Sequence, residues 1–82
     1  MERRLGFIGI IIDDRHTSST EVNAILSQYG DLIAARLGLP YRDRSCAVIA
    51  LIVDATTDEL GEFTGKLGMV KGITVKSAMS KK

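Results

Sequence analysis

Asp13, Asp14, Arg15 and His16 follow directly on the apolar run "FIGIII", and His16 is the only histidine among the 82 residues. One cysteine, Cys46, completes the set of side chains that could ligate a metal or attack a carbonyl. Imidazole, carboxylate and thiolate together would suit zinc or iron. No two of these residues stand at a diagnostic ligand spacing, however, and a loop aspartate is ordinarily spent on backbone N–H groups in a turn. We therefore assign no metal. Asp13 and Asp14 point opposite ways in an extended chain and lack the contrasting environments that an acid–base pair needs. Cys46 opens an apolar stretch, where a thiol behaves as a small hydrophobe. One histidine and one cysteine do not assemble into a nucleophile and its base, so we expect a non-catalytic protein without a cofactor.

Two further groups of residues could bind rather than react. In "GLPYRDRS", Arg42 and Arg44 flank Asp43. Paired guanidinium groups hold a carboxylate or phosphate through bidentate bonds. The same arginines are complementary in charge to Asp13 and Asp14, so a structural ion pair stands beside the ligand clamp as an alternative. Gly61, Gly65 and Gly68 lie about 100°, 140° and 80° around a helix from Leu60. An interior glycine costs roughly 1 kcal/mol relative to alanine, so this bare flank implies close packing on the first helix, on a partner, or on a ligand. "GKLG" lacks the spacing of a phosphate-binding loop.

The elements that must carry these residues are legible from periodicity. Residues 4–13, "RLGFIGIIID", are apolar on both alternating sets, Leu5, Phe7 and Ile11 against Ile8, Ile10 and Ile12, which marks a central strand covered on both faces. Ser18 and Glu21 match a capping box with Ser18 as N-cap. Val22, Ile25, Leu26 and Tyr29 then recur as one helical stripe, and Gly30 is a stop. In 31–39, Ile33, Ala35, Leu37 and Leu39 alternate as a half-buried strand, followed by a polar connector over 40–44. Residues 45–55 form a second strand apolar on both faces. Thr56 and Glu59 repeat the capping box, Leu60, Phe63, Thr64 and Leu67 form the second stripe, and Gly68 ends it. Residues 72–78 read as an edge strand bearing Lys76.

The order β-α-β-β-α-β is a recurring pattern. It predicts an α+β, ferredoxin-like fold: an antiparallel four-stranded sheet of order 4-1-3-2 with both helices on one face. Three connections, 13–17, 40–45 and 68–72, then converge at one sheet edge. The ligand-binding residues expected there are Asp14, Arg15 and His16 from the first, Tyr41, Arg42 and Arg44 from the second, and Gly65 and Gly68 from the nearby helix flank. The other sheet face is apolar as well, and in a chain this short only another copy is at hand to cover it. Hence a homodimer or homotetramer through the open face is expected, at about 10 kcal/mol gross for ~400 Å² of apolar area per partner.

Composition narrows the function. Eleven basic and ten acidic residues give a formal charge of +1, without the cationic excess that phosphate neutralisation demands. DNA contact by an oligomer is retained only as the alternative reading. The basic residues near the two ends are expected to be solubilising tails. A lone cysteine fits a reducing cytoplasm, and no run has the length of a membrane span or the layout of a signal peptide. One domain spanning 1–82 is expected, with a small-molecule effector or a protein as its partner.

The segments "GFIGIIIDDR", "VNAILSQYGDLIAARLGLPYRDR" and "VIALIVDATTDELGEFTGKLGMVKGITVKSA" resemble the small iron-only hydrogenase system regulators over nearly the whole chain. The most specific pieces are the YGD-to-GxPYRxR segment and the DExGxxTGKLG helix. This resemblance implies an ACT-like ferredoxin fold, similar to the effector domain of nickel-responsive regulators, and a regulatory, transcriptional role connected with hydrogenase. Asp14-Arg15-His16-Thr17 stands where amino-acid-binding ACT loops carry aspartate before Pro-Gly, so amino-acid binding is not carried over. With one histidine, neither is nickel binding. No ribbon-helix-helix or helix-turn-helix pattern is present.

Overall fold

Side chains alternate between the two faces of a strand, and in β1, Arg4–Ile12, the alternation divides two apolar sets. Ile8, Ile10 and Ile12 are buried, whereas Leu5, Phe7 and Ile11 remain exposed. The structure, a computed structural model, describes residues 2–13 and 15–81. After β1 come α1 (Arg15–Gln28), a short 3-10 turn (Gly30–Leu32), β2 (Ile33–Tyr41), a second 3-10 turn (Arg42–Arg44), β3 (Cys46–Ala55), α2 (Thr57–Gly68) and β4 (Ile73–Met79). All three strand pairings are antiparallel and the sheet order is β2-β3-β1-β4, the expected 4-1-3-2 read from the other side.

Both helical stripes meet the same sheet face. Val22 and Leu26 of α1 and Phe63 and Leu67 of α2 are fully buried over Ile8, Ile10, Leu51 and Val53, while Ile25, Tyr29 and Leu60 pack at the rim. Each fully buried aliphatic or aromatic side chain contributes roughly 1.5–3 kcal/mol. The Tyr29 and Phe63 rings stack at 4.7 Å and join the two helices, with Lys66 Nζ 5.8 Å from the Tyr29 centroid.

The second capping box forms as expected. Glu59 N–H donates to Thr56 Oγ1 (3.1 Å) and Thr56 N–H donates to the Glu59 carboxylate (2.9 Å). The first does not, because α1 begins at Arg15 and Ser18 lies inside its first turn. There the Ser18 hydroxyl donates instead to the Lys71 carbonyl at 2.8 Å. The buried Ser18 hydroxyl finds its partner in a loop carbonyl 53 residues away, and this tertiary contact outranks the local capping pattern.

Strand β2 also departs from expectation. A bulge between Ile33 and Ala35 shifts the alternation by one residue, which sends every later side chain to the opposite face. Ile33 opposes Val53 on the helix side, whereas Ala35, Leu37 and Leu39 oppose Ile52, Ala50 and Val48 on the open side. Leu37 and Leu39 are therefore 69% and 55% exposed rather than half-buried. On the helix side of β2, Arg36 Nη2 donates to Asn23 Oδ1 of α1 at 2.7 Å.

Among the described residues nothing covers the open face. Leu5, Phe7, Ile11, Leu37, Leu39, Tyr41, Val48 and Ile52 are large, exposed and together on it. Single exposed hydrophobes are ordinary, but a contiguous apolar face marks a site of interaction.

Candidate functional site

The expected convergence is present at one sheet edge. Asp13, just past the end of β1, donates its N–H to the Gly72 carbonyl at 2.8 Å. In the same region Ala47 opposes both Ile12 and Pro40, and Ile73 opposes Ile12. The end of β1, the β2–β3 turn and the α2–β4 connection thus meet side by side. Gly72 takes φ +78°, the left-handed region that favours glycine, against the Ser18 hydroxyl. Together with the Ser18–Lys71 hydrogen bond this pins the start of α1 to the α2–β4 loop.

Between them lies an open hollow of about 510 Å³, lined by Ser18, Glu21, Met69, Lys71 and Gly72. Glu21 and Lys71 supply one charge of each sign, and Met69, which is 82% exposed, supplies an apolar wall. Such a lining suits a small polar molecule better than an extended polyanion, for which one lysine offset by one glutamate gives no net attraction.

Among the described residues, none of those expected at this edge is among those that line the hollow. Asp14 lies outside the described residues, as do the side chains of Arg15 and His16, whose backbone forms the first turn of α1. Tyr41 ends β2 on the open face and is exposed; Arg42 and Arg44 occupy the hairpin turn, also exposed. None of these three lines the hollow. Among the described residues no ion pair joins Arg42 or Arg44 to Asp13, so the structural pairing weighed for them is absent there. Gly65 and Gly68 lie on α2, where an added Cβ would meet nothing within 4 Å, and the same holds at Gly61. Of the three alternatives for this flank, packing on the first helix is not found among the described residues, and the flank is open surface there.

Sequence reasoning missed Ser18, Lys71 and Gly72. Ser18 had been read as a cap and Lys71 as part of a tail. The available signal was Gly72 directly before a strand, a place where a left-handed residue turns the chain.

The other end of the sheet corrects the tail reading again. Arg3 reaches Asp54 (Nε to Oδ1, 3.6 Å) and Glu59 (Nη1 to Oε1, 3.2 Å), and also donates to the Asp54 carbonyl. It ties the end of β3 to the cap of α2. The Thr56 backbone N–H on its carboxylate, helped by Arg3, holds Glu59 below the usual carboxylate range despite partial desolvation. Desolvation, then the hydrogen bond to Glu62 and its charge, push the Tyr29 phenol up. Tyr29 donates to Glu62 Oε1 at 3.1 Å. Among the described residues no three of His, Cys, Asp and Glu are placed to hold a metal ion, and no helix is long and apolar enough to cross a membrane.

Two helices on one face of a 2-3-1-4 antiparallel sheet, with connections gathered at one edge, define an ACT-like ferredoxin fold. The ACT domain of the GTP pyrophosphokinase of Chlorobium tepidum superposes with TM-score 0.78 at 22% identity, over 93% of this chain and 99% of that one. The C-terminal domain of the MgtC protein of Mycobacterium tuberculosis gives 0.71 at 14% identity, over 95% and 88%. Within that class the chain belongs to the TM1266-like family, described as "Iron-only hydrogenase system regulator, putative", whose model matches residues 4–77. The uncharacterized protein TM1266 from Thermotoga maritima is similar at 32% identity and TM-score 0.92, over 98% of this chain and 100% of that one. A comparison with curated proteins finds none that matches.

Proposed function

We propose that this chain is a non-catalytic ACT-like regulatory domain of the iron-only hydrogenase system. It works in the cytoplasm as a homo-oligomer that senses a small molecule or docks to a protein partner and so sets hydrogenase expression. The observation that carries the reading is the family match across residues 4–77. It is supported by the mixed polar and apolar hollow lined by Ser18, Glu21 and Lys71, a feature suited to binding a small molecule. The effector, on this reading, lies at the converging connections, with Arg42 and Arg44 as the outer anion clamp.

Deleting the gene in its host should change the level of hydrogenase transcripts, and unchanged transcripts together with unchanged hydrogenase activity would overturn the regulatory role. Native mass spectrometry of the freshly purified protein reports copy number and any retained small molecule in one measurement. Where a retained molecule raises the thermal midpoint, the Arg42→Ala/Arg44→Ala pair should lose that rise, and an undiminished rise removes the clamp. Gel shifts with the hydrogenase promoter at low salt decide whether regulation runs through DNA contact; the near-neutral charge leads us to expect none.

A further inference from the structure

We propose that the open sheet face is covered by a second copy of this chain about a two-fold axis running along β3. The inference rests on the oligomeric part of the reading above and adds the geometry.

The ladder sets residues in lines across the open face. One line runs Leu37–Ala50–Gly9–Lys76, the next Ala35–Ile52–Phe7–Ala78, and a third Leu39–Val48–Ile11–Thr74. The first is a furrow of small residues at its centre, bounded by bulky side chains in the two neighbouring lines. At one end of it stands Leu37, the most exposed hydrophobe of the face at 69%. At the other end stands Lys76, on edge strand β4.

In an isologous pair each line lies over itself in reverse, so the position of the axis decides what meets what. With the axis along β3, Leu37 of each copy lies over Gly9 of the other and Phe7 lies over Ala35, large against small in both cases. Ala50 then meets Ala50, and Lys76 falls beyond the partner's edge strand, in water. An axis between β3 and β1 would instead set Leu37 on Lys76 and Phe7 on Ile52. An axis along β1 would carry Lys76 over Ala50. Both alternatives bury an unpaired ammonium, a costly outcome. At the far end of β3 from the hairpin, Asp54 is paired with Arg3.

The size of the face is adequate. Three overlapped strands at ~4.8 Å spacing and roughly 27 Å of length give about 400 Å² of flat area per copy. With side-chain corrugation the pair buries roughly 1,000 Å², the floor for a specific interface. That face carries Leu37, Phe7, Ile11 and Val48 without a charge among its central residues, a composition matched to itself rather than to a charged partner.

The axis also passes over Cys46, which opposes Tyr41 at the end of β3 and is a free, partly exposed thiol. Facing sheets lie ~10 Å apart, within reach of a short bifunctional maleimide. The test uses the full chain. Sedimentation equilibrium should show a dimer, and the maleimide should join two copies through Cys46 and fail with Cys46→Ser. Leu37→Lys should raise the dimer dissociation constant by roughly thirtyfold or more. Gly9→Val should do the same by filling the furrow. An added Cβ at Gly9 meets only the Lys76 carbonyl at 4.0 Å within the chain, so this variant keeps its fold, which circular dichroism checks. Lys76→Glu should leave the dimer unchanged. A dimer indifferent to Leu37→Lys and Gly9→Val, or one that Cys46 does not cross-link, overturns the β3 axis and leaves oligomerisation standing. A monomer at every concentration overturns both.

Discussion

Ser45 is the one non-glycine described residue in the left-handed region, at φ 52°, and it closes the hairpin that carries Arg42 and Arg44. A side chain there costs of order 1 kcal/mol or more, against the entropy that a glycine loses on folding. Ser45→Gly should therefore stabilise the chain by roughly 0.5–1 kcal/mol in urea unfolding, net of that entropy. Gly6 presents the reverse case. A Cβ there would sit 2.7 Å from the Ala78 carbonyl, a backbone atom that moves only with strand β4. Gly6→Ala should destabilise by about 1–3 kcal/mol, with amide exchange accelerated first in β4. At Glu59 the prediction concerns pH. Its folded pKa lies below the ordinary value, so its contribution is complete above the usual carboxylate range and is lost as pH falls through the lowered value. Unfolding measured on acidification should show wild type losing more stability than Glu59→Gln, and equal losses would detach the cap from the acid response.

At the scale of elements, α2 keeps its cap and its buried stripe yet carries three glycines whose flank touches nothing. Gly65→Ala should raise stability by about 1 kcal/mol through helix propensity alone, a gain read directly in the unfolding midpoint. Where a partner or effector packs on that flank, the same variant weakens its binding while the free chain gains. The elements themselves were legible because apolar period announces them: two-sided strands read at 4–13 and 45–55 and found within a residue at Arg4–Ile12 and Cys46–Ala55, and stripes at Val22–Tyr29 and Leu60–Leu67. What escaped was set by contacts distant in sequence. The bulge at Ala34 leaves Ile33, Ala35, Leu37 and Leu39 in an unbroken alternation on paper, although it divides them between two faces. Ser18 reads as a cap until the carbonyl of Lys71 arrives beside it from 53 residues away. The candidate site was legible as a place, since topology alone brings its three connections to one edge. Its lining was not, because Glu21, Met69 and Lys71 bear no local mark of a shared hollow.

For the molecule as a whole, the two sheet faces have unequal fates. The helix side holds the whole buried core, while the other leaves Phe7, Ile11, Leu37 and Ile52 between 44% and 69% exposed. A chain of this size buries only about 60–65% of its unfolded surface by itself, so a copy covering that face would add to a thin margin and couple folding to assembly. The consequence is measurable without knowing any effector. If the face closes on a second copy, the thermal midpoint depends on concentration, because dilution favours the separated and unfolded chains. Each tenfold dilution removes about 1.4 kcal/mol from the dimer, or about 0.7 kcal/mol per chain. For a domain of this length that is a fall of about 3–6 °C. Leu37→Lys should lower the midpoint at each concentration, toward the value of the diluted wild type. A wild-type midpoint constant over two decades of concentration would mean that the face meets water in the working protein. The dimer would then be lost as the cover of this face, and the regulatory reading would rest on the effector site alone.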